Sequence, residues 1–344
     1  MGFVVRFTGP RHVDVREYEE EPLDAHHVRL RTLYSGISAG TEMTAYRGSN
    51  PYLTKRWDPE RRLFVDGAVT YEYPVEGWGY EEVGEVAEVG EAVTGVAVGD
   101  VVWGAWGHRS TAVMHERDAA PRLLATGVDP MLGIFSQIGA IALNTLLDAD
   151  IHLGEHVAVF GQGVPGLLVT QLARLNGATV IAVDPLPRRL ELARLLGARH
   201  TVQATAEPVG ETVKRLTEGR GADVSIEISG NYLALHEAVR ATAYSSKVVS
   251  AGFFQRDGAG LFLGEEFHHN RVQIVCSQIS GVAPQHAHRW DGMRLRRAFM
   301  TLVAEGRLEL EPLVTHTFAA QDAAAAFQLI DEHPEQAVQV ILKF

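Results

Sequence analysis

The stretch Val157-Ala-Val-Phe-Gly-Gln-Gly-Val-Pro-Gly166 combines a short apolar run with three glycines at G-x-G-x-x-G spacing. The apolar run predicts a buried strand, and the apolar periodicity from Leu167 to Asn176 predicts a helix after the glycines. A helix that begins directly after such a turn presents free backbone N–H groups and the positive end of its dipole, which suit a pyrophosphate. The sequence therefore predicts a dinucleotide-binding turn.

Each glycine of this turn, and an acidic residue beyond it, has a predicted role. Gly161 allows the tight turn, Gly163 lets the backbone approach the phosphates, and Gly166 lets the helix pack on the strand. Asp184 follows Gly163 by 21 residues and ends the apolar run Thr179–Val183. Its carboxylate is placed to accept hydrogen bonds from the ribose hydroxyls, and it would repel a 2′-phosphate. We therefore expect NAD as the cofactor, with NADP less favoured.

Composition limits the classes of protein to consider. The chain has 344 residues, 46% of them hydrophobic, which suits two domains at roughly 150 residues per domain. A formal net charge of -12 opposes binding to nucleic acid or to an anionic membrane. Cys276 is the only cysteine, so no intrachain disulfide can form. Because no export signal is evident and no apolar run approaches the ~20 residues of a spanning helix, we expect a cytoplasmic protein that acts on a small molecule.

The pattern of apolar runs changes along the chain and predicts an α/β protein of two domains. Residues 1–125 contain short runs separated by glycines, which predicts a β-barrel-like domain. Residues 126–299 alternate strand and helix patterns, which predicts a doubly wound parallel sheet. Residues 300–344 predict a return to the first domain, and the irregular segment 46–75 predicts a long loop over a site. The strands expected in the middle domain are 157–160, 179–183, 223–228, 247–251 and 273–276, and the helices are 167–176, 188–196, 207–217 and 232–243.

Further stretches resemble the medium-chain dehydrogenase/reductase superfamily over nearly the whole chain. Gly79-Tyr-Glu-Glu-Val-Gly-Glu-Val86 and Val98-Gly-Asp-Val-Val102 are similar to its G-H-E-x-x-G-x-V and V-G-D-x-V signatures. Leu190–Ala198 is similar to the helix that follows its ribose-binding acid. The domains that this resemblance implies are a GroES-like β-barrel catalytic domain (1–125 and 300–344) and a Rossmann dinucleotide-binding domain (126–299).

The residues that bind a catalytic zinc in many members of the superfamily are mostly replaced. Where those members have G-I-C-G-T-D, this chain reads Gly36-Ile-Ser-Ala-Gly-Thr-Glu42, so the cysteine's place falls on Ser38 or the residue after it. Tyr80 stands in the histidine's place, Gln137 loosely in that of a third ligand, and only Glu81 is retained. Zinc usually binds several thiolate, imidazole and carboxylate ligands together. We therefore predict no catalytic zinc, and the cysteine-rich lobe that holds a structural zinc is absent from the sequence.

Hydride transfer without zinc requires other groups to polarise the substrate oxygen and to exchange its proton. Tyr80 is the candidate hydrogen-bond donor to that oxygen, and Glu81 is the candidate to tune or relay the proton. Thr41 or Ser38 is the candidate hydroxyl relay, depending on how the extra residue is aligned. The alternatives are that Tyr80 only fills the vacated metal pocket and that Glu81 pairs with an arginine.

Other residues are candidates to contact the substrate or the cofactor. His268 and His269 lie where the resemblance implies a loop over the nicotinamide ring, and a neutral imidazole there can bind a polar substrate. Trp78, with Trp103 and Trp106, is a candidate to stack on a ring or sugar face. The remaining substrate candidate is Gln137, and the remaining cofactor candidates are Val164, Pro165, Arg189, Ser229 and Gly252.

Three functions stay open. The first is a zinc-independent NAD(H)-dependent dehydrogenase or reductase of an alcohol, polyol or sugar-like hydroxyl, which we favour. The second is a zinc-free enoyl or quinone reductase using NADPH, which Asp184 opposes although Arg188 and Arg189 follow it. The third is a catalytically silent nucleotide-binding subunit with a structural or regulatory role. The resemblance also implies a homodimer that pairs edge strands of the nucleotide domain, for which Gln273–Cys276 is the candidate.

Overall fold

Two units, each with its own core, make up the chain. The computed structural model describes residues 1–255 and 257–344. Unit 1 comprises Met1–Gln137 and Met300–Phe344, and unit 2 comprises Ile138–Phe299. The sequence predicts the first boundary earlier, at residue 125. The boundary lies later because a 3-10 helix at Pro130–Ile134 packs on the strands of unit 1 and buries its apolar side chains there.

Short strands separated by glycine turns make up most of the N-terminal part of unit 1. The strands are β1 (Gly2–Gly9), β2 (His12–Tyr18), β3 (His27–Ile37), β4 (Arg56–Asp58), β5 (Leu63–Val65), β6 (Val75–Glu76), β7 (Glu82–Val89), β8 (Val101–Gly104) and β9 (Thr111–His115), and the helices are α1 (Glu42–Arg47) and α2 (Glu116–Ala119). β1 pairs with β2 and β6, and β3 pairs with β7 and β9, all antiparallel. This part of the chain therefore has the β-rich character that the sequence predicts.

Unit 2 alternates strands and helices. Its strands are β10 (His156–Phe160), β11 (Thr179–Asp184), β12 (His200–Gln203), β13 (Ala222–Glu227), β14 (Thr242–Ser250) and β15 (Gln273–Cys276), and the helices in and bordering it are α3 (Phe135–Ala149), α4 (Val164–Leu175), α5 (Pro187–Leu195), α6 (Val209–Leu216), α7 (Tyr232–Ala241) and α8 (Gly292–Ala304). The six strands form one parallel sheet in the order β12-β11-β10-β13-β14-β15. This is the doubly wound order of a Rossmann fold, with α4 entered directly from the central strand β10.

The end of the chain completes unit 1 with β16 (Val314–Ala319), α9 (Ala323–Glu332) and β17 (Gln339–Lys343). The larger sheet of unit 1 has the order β16-β17-β3-β7-β8, with β9 on β3. The alanine-rich helix α9 brings Phe327 against Phe7, with ring centroids 5.0 Å apart. Small residues on this helix allow that close packing, and the predicted return to the first domain is confirmed.

Two expectations about local structure are wrong. The segment 46–75 contains a 3-10 turn at Pro51–Leu53 and the β4–β5 hairpin, so it is not a structureless loop. Its strands are only three residues long and none of their residues is buried, so neither gives a pattern long enough to predict a strand. β12 was also missed, because only Val202 of its four residues is buried. The five strands expected in this sheet are confirmed, with α4 starting earlier than predicted.

One helical stretch in the described part of the chain, Pro130–Ala149, is long and apolar enough to cross a membrane. The expectation that no run approaches this length is therefore wrong. Most of the stretch is buried inside the protein, as in the core helix of a folded domain.

Candidate functional site

Ser38, Thr41 and Tyr80 lie together where two neighbouring strands of unit 1 meet their loops. β3 ends directly before Ser38, and β7 begins two residues after Tyr80. The strands pair antiparallel with Ser35 opposite Glu82, so the two segments leave the sheet side by side. The Tyr80 hydroxyl lies 2.6 Å from Ser38 Oγ and 3.4 Å from Thr41 Oγ1. The structure thus brings both hydroxyl candidates to Tyr80.

Tyr80 is held as a neutral phenol. Burial, followed by the negative charge of Glu81, raises the pKa of Tyr80, and its hydrogen bonds with Ser38 and Thr41 oppose this only in part. A phenol that stays protonated at neutral pH donates a hydrogen bond well but accepts a proton poorly. It can take a substrate proton only if it passes its own proton on in the same step. Thr41, which is half-buried, is positioned to accept that proton.

Glu81 is buried, and its Oε2 has no hydrogen-bond partner among the described residues. Burial, followed by the charges of Glu42 and Glu82, raises the pKa of Glu81 well above its ordinary value. A Cβ atom at Gly36 would lie 2.4 Å from Glu81 Oε2, so a side chain at that position would collide with the carboxyl group. In the residues described, no ion pair joins Glu81 to an arginine. The structure therefore places a buried carboxyl group with a raised pKa next to Tyr80 in the chain.

A chain of four buried side chains, which the sequence analysis missed, contacts the Ser38 backbone. Glu42 Oε2 lies 2.6 Å from His108 Nε2, and His108 Nδ1 lies 2.6 Å from Ser35 Oγ. Ser35 Oγ donates to Glu82 Oε1 at 3.0 Å, and the Ser38 N–H donates to Glu42 Oε1 at 3.0 Å. We call Glu42, His108, Ser35 and Glu82 the buried polar chain; each is at most 1% exposed. The signal in the sequence is limited to Ser35 and Glu82, which are polar residues inside the strands β3 and β7.

Two groups of the buried polar chain, Glu82 and His108, have raised pKa values. Burial raises the pKa of Glu82 to about 7, against the opposing effects of the His108 charge and the Trp106 N–H, which donates to Glu82 Oε2 at 2.8 Å. For His108, burial lowers the pKa, but the charge of Glu42 and its hydrogen bond outweigh burial, so the net shift is upward. The chain therefore retains a proton near neutral pH.

These shifts predict that stability falls as the pH rises. Because the pKa of Glu82 is about 7 in the folded protein and 4.5 ordinarily, the folded state binds this proton more tightly. The resulting stabilisation, at most about 3 kcal/mol, is complete below pH ~4.5 and is lost as the pH rises through ~7. The raised pKa of His108 acts in the same direction. In Glu82→Gln, which mimics the protonated group, the fall in melting temperature between pH ~5 and ~8 should be much smaller than in the wild type.

The matched control for this measurement is Glu85→Gln on the same strand, whose partly exposed carboxylate pairs with Arg31. This variant should keep the wild-type dependence of melting temperature on pH. If Glu82→Gln also keeps it, the raised pKa of Glu82 is not the cause of the dependence.

The donor atoms around Tyr80 do not fit a catalytic zinc ion. Zinc requires several thiolate, imidazole or carboxylate ligands together. Ser38, Thr41 and Tyr80 offer neutral hydroxyls, and Glu81 offers one carboxyl group. The imidazole of His108 is hydrogen-bonded at both nitrogens. Within the described residues, this cluster has no thiolate and no free imidazole to complete a zinc site.

The glycine turn of unit 2 has the shape that a dinucleotide requires. Gly161 has φ of 96°, and a Cβ atom at Gly166 would lie 1.8 Å from the Gly161 carbonyl oxygen, so both positions need glycine. A Cβ atom at Gly163 would meet only the Pro165 ring, at 4.0 Å, so that side of the turn is open. α4 begins at Val164 without a side-chain cap from Gly163. The turn and the helix N-terminus therefore fit a pyrophosphate.

Asp184 lies at the end of β11 and contacts this turn. Its Oδ2 accepts a hydrogen bond from the Gln162 N–H at 2.7 Å, and its Oδ1 accepts one from the Leu186 N–H at 2.9 Å. Arg189 Nη1 lies 4.0 Å from Asp184 Oδ2. Asp184 therefore has a structural role in the turn, and each carboxylate oxygen keeps a second lone pair for a ribose hydroxyl.

Ser229 and Gly252 border the carboxyl ends of β13 and β14, where ligands bind in parallel sheets of this kind. Glu227 accepts hydrogen bonds from the backbone N–H groups of Ser229 at 2.8 Å and Gly230 at 3.2 Å. A Cβ atom at Gly252 would lie 2.2 Å from the Gly230 nitrogen. The glycine at 252 thus allows two loops to approach closely at this edge.

The remaining substrate candidates are two neighbouring histidines and one glutamine. His268 and His269 are exposed and follow a π-helix at Leu263–Phe267. His269 Nδ1 lies 3.0 Å from the Glu265 carbonyl oxygen. Gln137 lies in the first turn of α3. A role for these residues in substrate binding stays a prediction.

Of the three tryptophans, one belongs to the core. Trp103 is 2% exposed, so its predicted stacking on a substrate is wrong. Trp106 is partly buried, and its Nε1 donates to Thr32 Oγ1 at 3.0 Å. Trp78 is half-buried beside Tyr71, with ring centroids 5.6 Å apart. A stacking role for Trp78 stays a prediction.

Known proteins similar to this chain include several named as dehydrogenases. A family model described as zinc-binding dehydrogenase matches residues 165–293. D-guloside 3-dehydrogenase of Escherichia coli (strain K12) is 30% identical over 344 residues, which cover 98% of each chain. Sorbitol dehydrogenase of Halalkalibacterium halodurans is 25% identical, covering 97% of this chain and 96% of the other. A Sinorhizobium meliloti 1021 protein solved with bound NADP has a TM-score of 0.80 at 21% identity, covering 100% of this chain and 99% of the other.

The chain combines a GroES-like β-rich unit with a Rossmann unit that carries a glycine turn. The chain belongs to the medium-chain dehydrogenase/reductase superfamily, which confirms the resemblance found in its sequence. It is an enzyme of the alcohol and polyol dehydrogenase type.

Proposed function

We propose that this chain is a zinc-independent, NAD(H)-dependent dehydrogenase that interconverts a secondary alcohol of polyol or sugar-like type and the corresponding ketone. The observation that carries the proposal is the cluster of Ser38, Thr41 and Tyr80 hydroxyls where zinc-dependent members have metal ligands. Relatives named for a guloside and for sorbitol support a polyhydroxylated substrate.

The side chains of the cluster provide a route for the substrate proton. When bound, the nicotinamide accepts a hydride from the alcohol carbon or returns one to the ketone carbon. In oxidation, the alcohol O–H bond breaks, its proton goes to the Tyr80 oxygen, and Tyr80 passes its own proton to the hydroxyl of Thr41 or Ser38. That hydroxyl in turn releases its own proton to water. In reduction, Tyr80 donates its proton to the oxygen of the ketone. Because its pKa is raised, Tyr80 carries the proton for this step at neutral pH.

The choice of NAD rests on Asp184. Its carboxylate would repel the 2′-phosphate of NADP, and it lies at the end of β11, where the ribose binds in this fold. Arg189 lies near enough to weaken that repulsion, and the similar Sinorhizobium meliloti protein binds NADP. We therefore expect the preference between NAD and NADP to depend on the negative charge of Asp184 and on how far Arg189 offsets it.

We further infer that the enzyme is a cytoplasmic homodimer that acts on a small molecule, without nucleic acid or membrane as a partner. The net charge of -12 opposes binding to nucleic acid and to an anionic membrane. β15 is at one end of the parallel sheet, so its outer edge is available to pair with a second copy.

The test is a screen of polyols, sugars and other alcohols with NAD, before and after dialysis against a chelator. Turnover should persist in chelated protein that contains well under one zinc per chain. Loss of activity that zinc restores would refute the zinc-independent mechanism. Activity confined to enones or quinones with NADPH would identify an enoyl or quinone reductase. If fluorescence titration showed binding of NADH but every substrate failed, the chain would be a silent nucleotide-binding subunit.

A further inference from the structure

We propose that His108 is a positioning residue for the proton-transfer cluster: the buried polar chain fixes the Ser38 backbone, and Ser38 in turn fixes the Tyr80 hydroxyl. This inference rests on the proposed function and assigns a role to buried groups that the reaction does not itself require.

Glu42 is the link between the buried polar chain and the cluster. Its two carboxylate oxygens have different partners: Oε1 accepts from the Ser38 N–H, and Oε2 is hydrogen-bonded to His108. The Glu42 N–H also donates to the Ser38 carbonyl oxygen at 3.2 Å, so the turn is closed at both ends of Ser38. Ser38 Oγ accepts from the Thr41 N–H at 3.3 Å and contacts the Tyr80 hydroxyl at 2.6 Å. A shift of Glu42 would therefore move the group that orients Tyr80.

Burial makes Glu42 depend on His108. The Glu42 side chain is fully buried, and its ion pair in the described part of the chain is with His108. An ionised carboxylate without a cation or sufficient hydrogen bonds is very costly in such surroundings. Without a donor from residue 108, the Glu42 side chain would have to turn toward another partner. That change would weaken its hydrogen bond with Ser38.

The other half of the buried polar chain fixes the imidazole ring. His108 Nδ1 contacts Ser35, Ser35 contacts Glu82, and Glu82 accepts from the Trp106 N–H. From α9, the apolar ring of Phe327 packs edge-on against the imidazole at 5.9 Å. The charged or titratable groups facing His108 are thus Glu42 on α1 and Glu82 on β7.

One proton shared between His108 and Glu82 lets every group of the buried polar chain keep its hydrogen bonds. With the proton on His108, the imidazolium donates to Glu42 and to Ser35, and Ser35 donates to ionised Glu82. With the proton on Glu82, neutral His108 still donates to Glu42 through Nε2, while Nδ1 accepts from Ser35. Glu42 therefore keeps its donor in both states. Loss of that proton at higher pH leaves Ser35 unable to donate to both His108 and Glu82, which weakens the chain.

Two substitutions at position 108 distinguish the contact with Glu42 from the contact with Ser35. A glutamine side chain places its amide nitrogen near the position of Nε2 and can still donate to Glu42, whereas asparagine reaches only the position of Nδ1. We expect His108→Asn to lower kcat at least ~30-fold with KM within about threefold, because misplacement of a reacting group acts mainly on kcat. His108→Gln should retain kcat within about fivefold. The matched control is His12→Gln on the exposed face of β2, which should behave as the wild type.

A second readout does not depend on the asparagine variant folding. Glu82→Gln cannot lose the chain's proton, so the dependence of its kcat on pH around ~7 should be weaker than in the wild type. Titration with NADH, which binds to unit 2, should give wild-type affinity for every variant and so show that they are folded.

Equal kcat values for His108→Asn and His108→Gln, whether high or low, would overturn the proposal, because a packing role does not distinguish the two amides. A wild-type pH profile in Glu82→Gln would also overturn it. These failures differ from failure of the proposed function, in which the wild-type protein itself would show no turnover of alcohols with NAD.

Discussion

Replacement of Tyr80 by phenylalanine should lower kcat by ~10²-fold or more, the scale expected when a general acid is removed. The Tyr80 hydroxyl contacts the hydroxyls of Ser38 and Thr41, and its raised pKa keeps it protonated at neutral pH. Phenylalanine keeps the ring and removes only the hydroxyl group, so KM should change much less than kcat. The measurement is steady-state oxidation of the best alcohol with NAD, and reduction of its ketone with NADH.

The control is Tyr18→Phe, which also removes one phenol hydroxyl from unit 1. Tyr18 donates to the Thr111 carbonyl oxygen at 2.8 Å and has no contact with Tyr80 among the described residues. Its kcat should match the wild-type value. If Tyr80→Phe also turned over at the wild-type rate, Tyr80 would only fill the place of the missing metal, and the proton would have to be exchanged by another group.

The parts of this enzyme that were predictable are those encoded by neighbouring residues. The apolar run 157–160 and the glycines after it lie within ten residues, and their spacing alone determines a strand, a turn and a helix start. Tyr80 could be assigned from its place in a local signature. Because β3 and β7 are adjacent and antiparallel, that assignment also brought Tyr80 to Ser38.

The buried polar chain was not predictable for the opposite reason. His108 and Glu42 are 66 residues apart, and nothing near either residue in the sequence indicates their contact. The polar residues Ser35 and Glu82 become partners only through the register of β3 on β7. The prediction that Trp103 contacts a substrate was wrong for a related reason. Its nearness in sequence to the cluster does not determine which face of β8 its side chain occupies.

Replacement of Asp184 by serine should shift the preference between the two cofactors by ~10²-fold toward NADPH, about tenfold from weaker NADH binding and about tenfold from tighter NADPH binding. The carboxylate would be lost as an acceptor for the ribose hydroxyls and as a source of repulsion. Arg189, 4.0 Å from that carboxylate, would then favour a 2′-phosphate. Fluorescence titration of wild type and variant with NADH and NADPH measures both affinities.

A second variant is needed because Asp184 also holds the glycine turn through the N–H groups of Gln162 and Leu186. Asp184→Asn keeps the size of the side chain and one carbonyl acceptor but removes the charge. If repulsion of the 2′-phosphate is the main effect, Asp184→Asn should improve NADPH binding nearly as much as the serine variant. If both variants weaken NADH and NADPH binding equally, Asp184 acts on the shape of the turn rather than on the ribose. The preference for NAD would then have to arise elsewhere in unit 2.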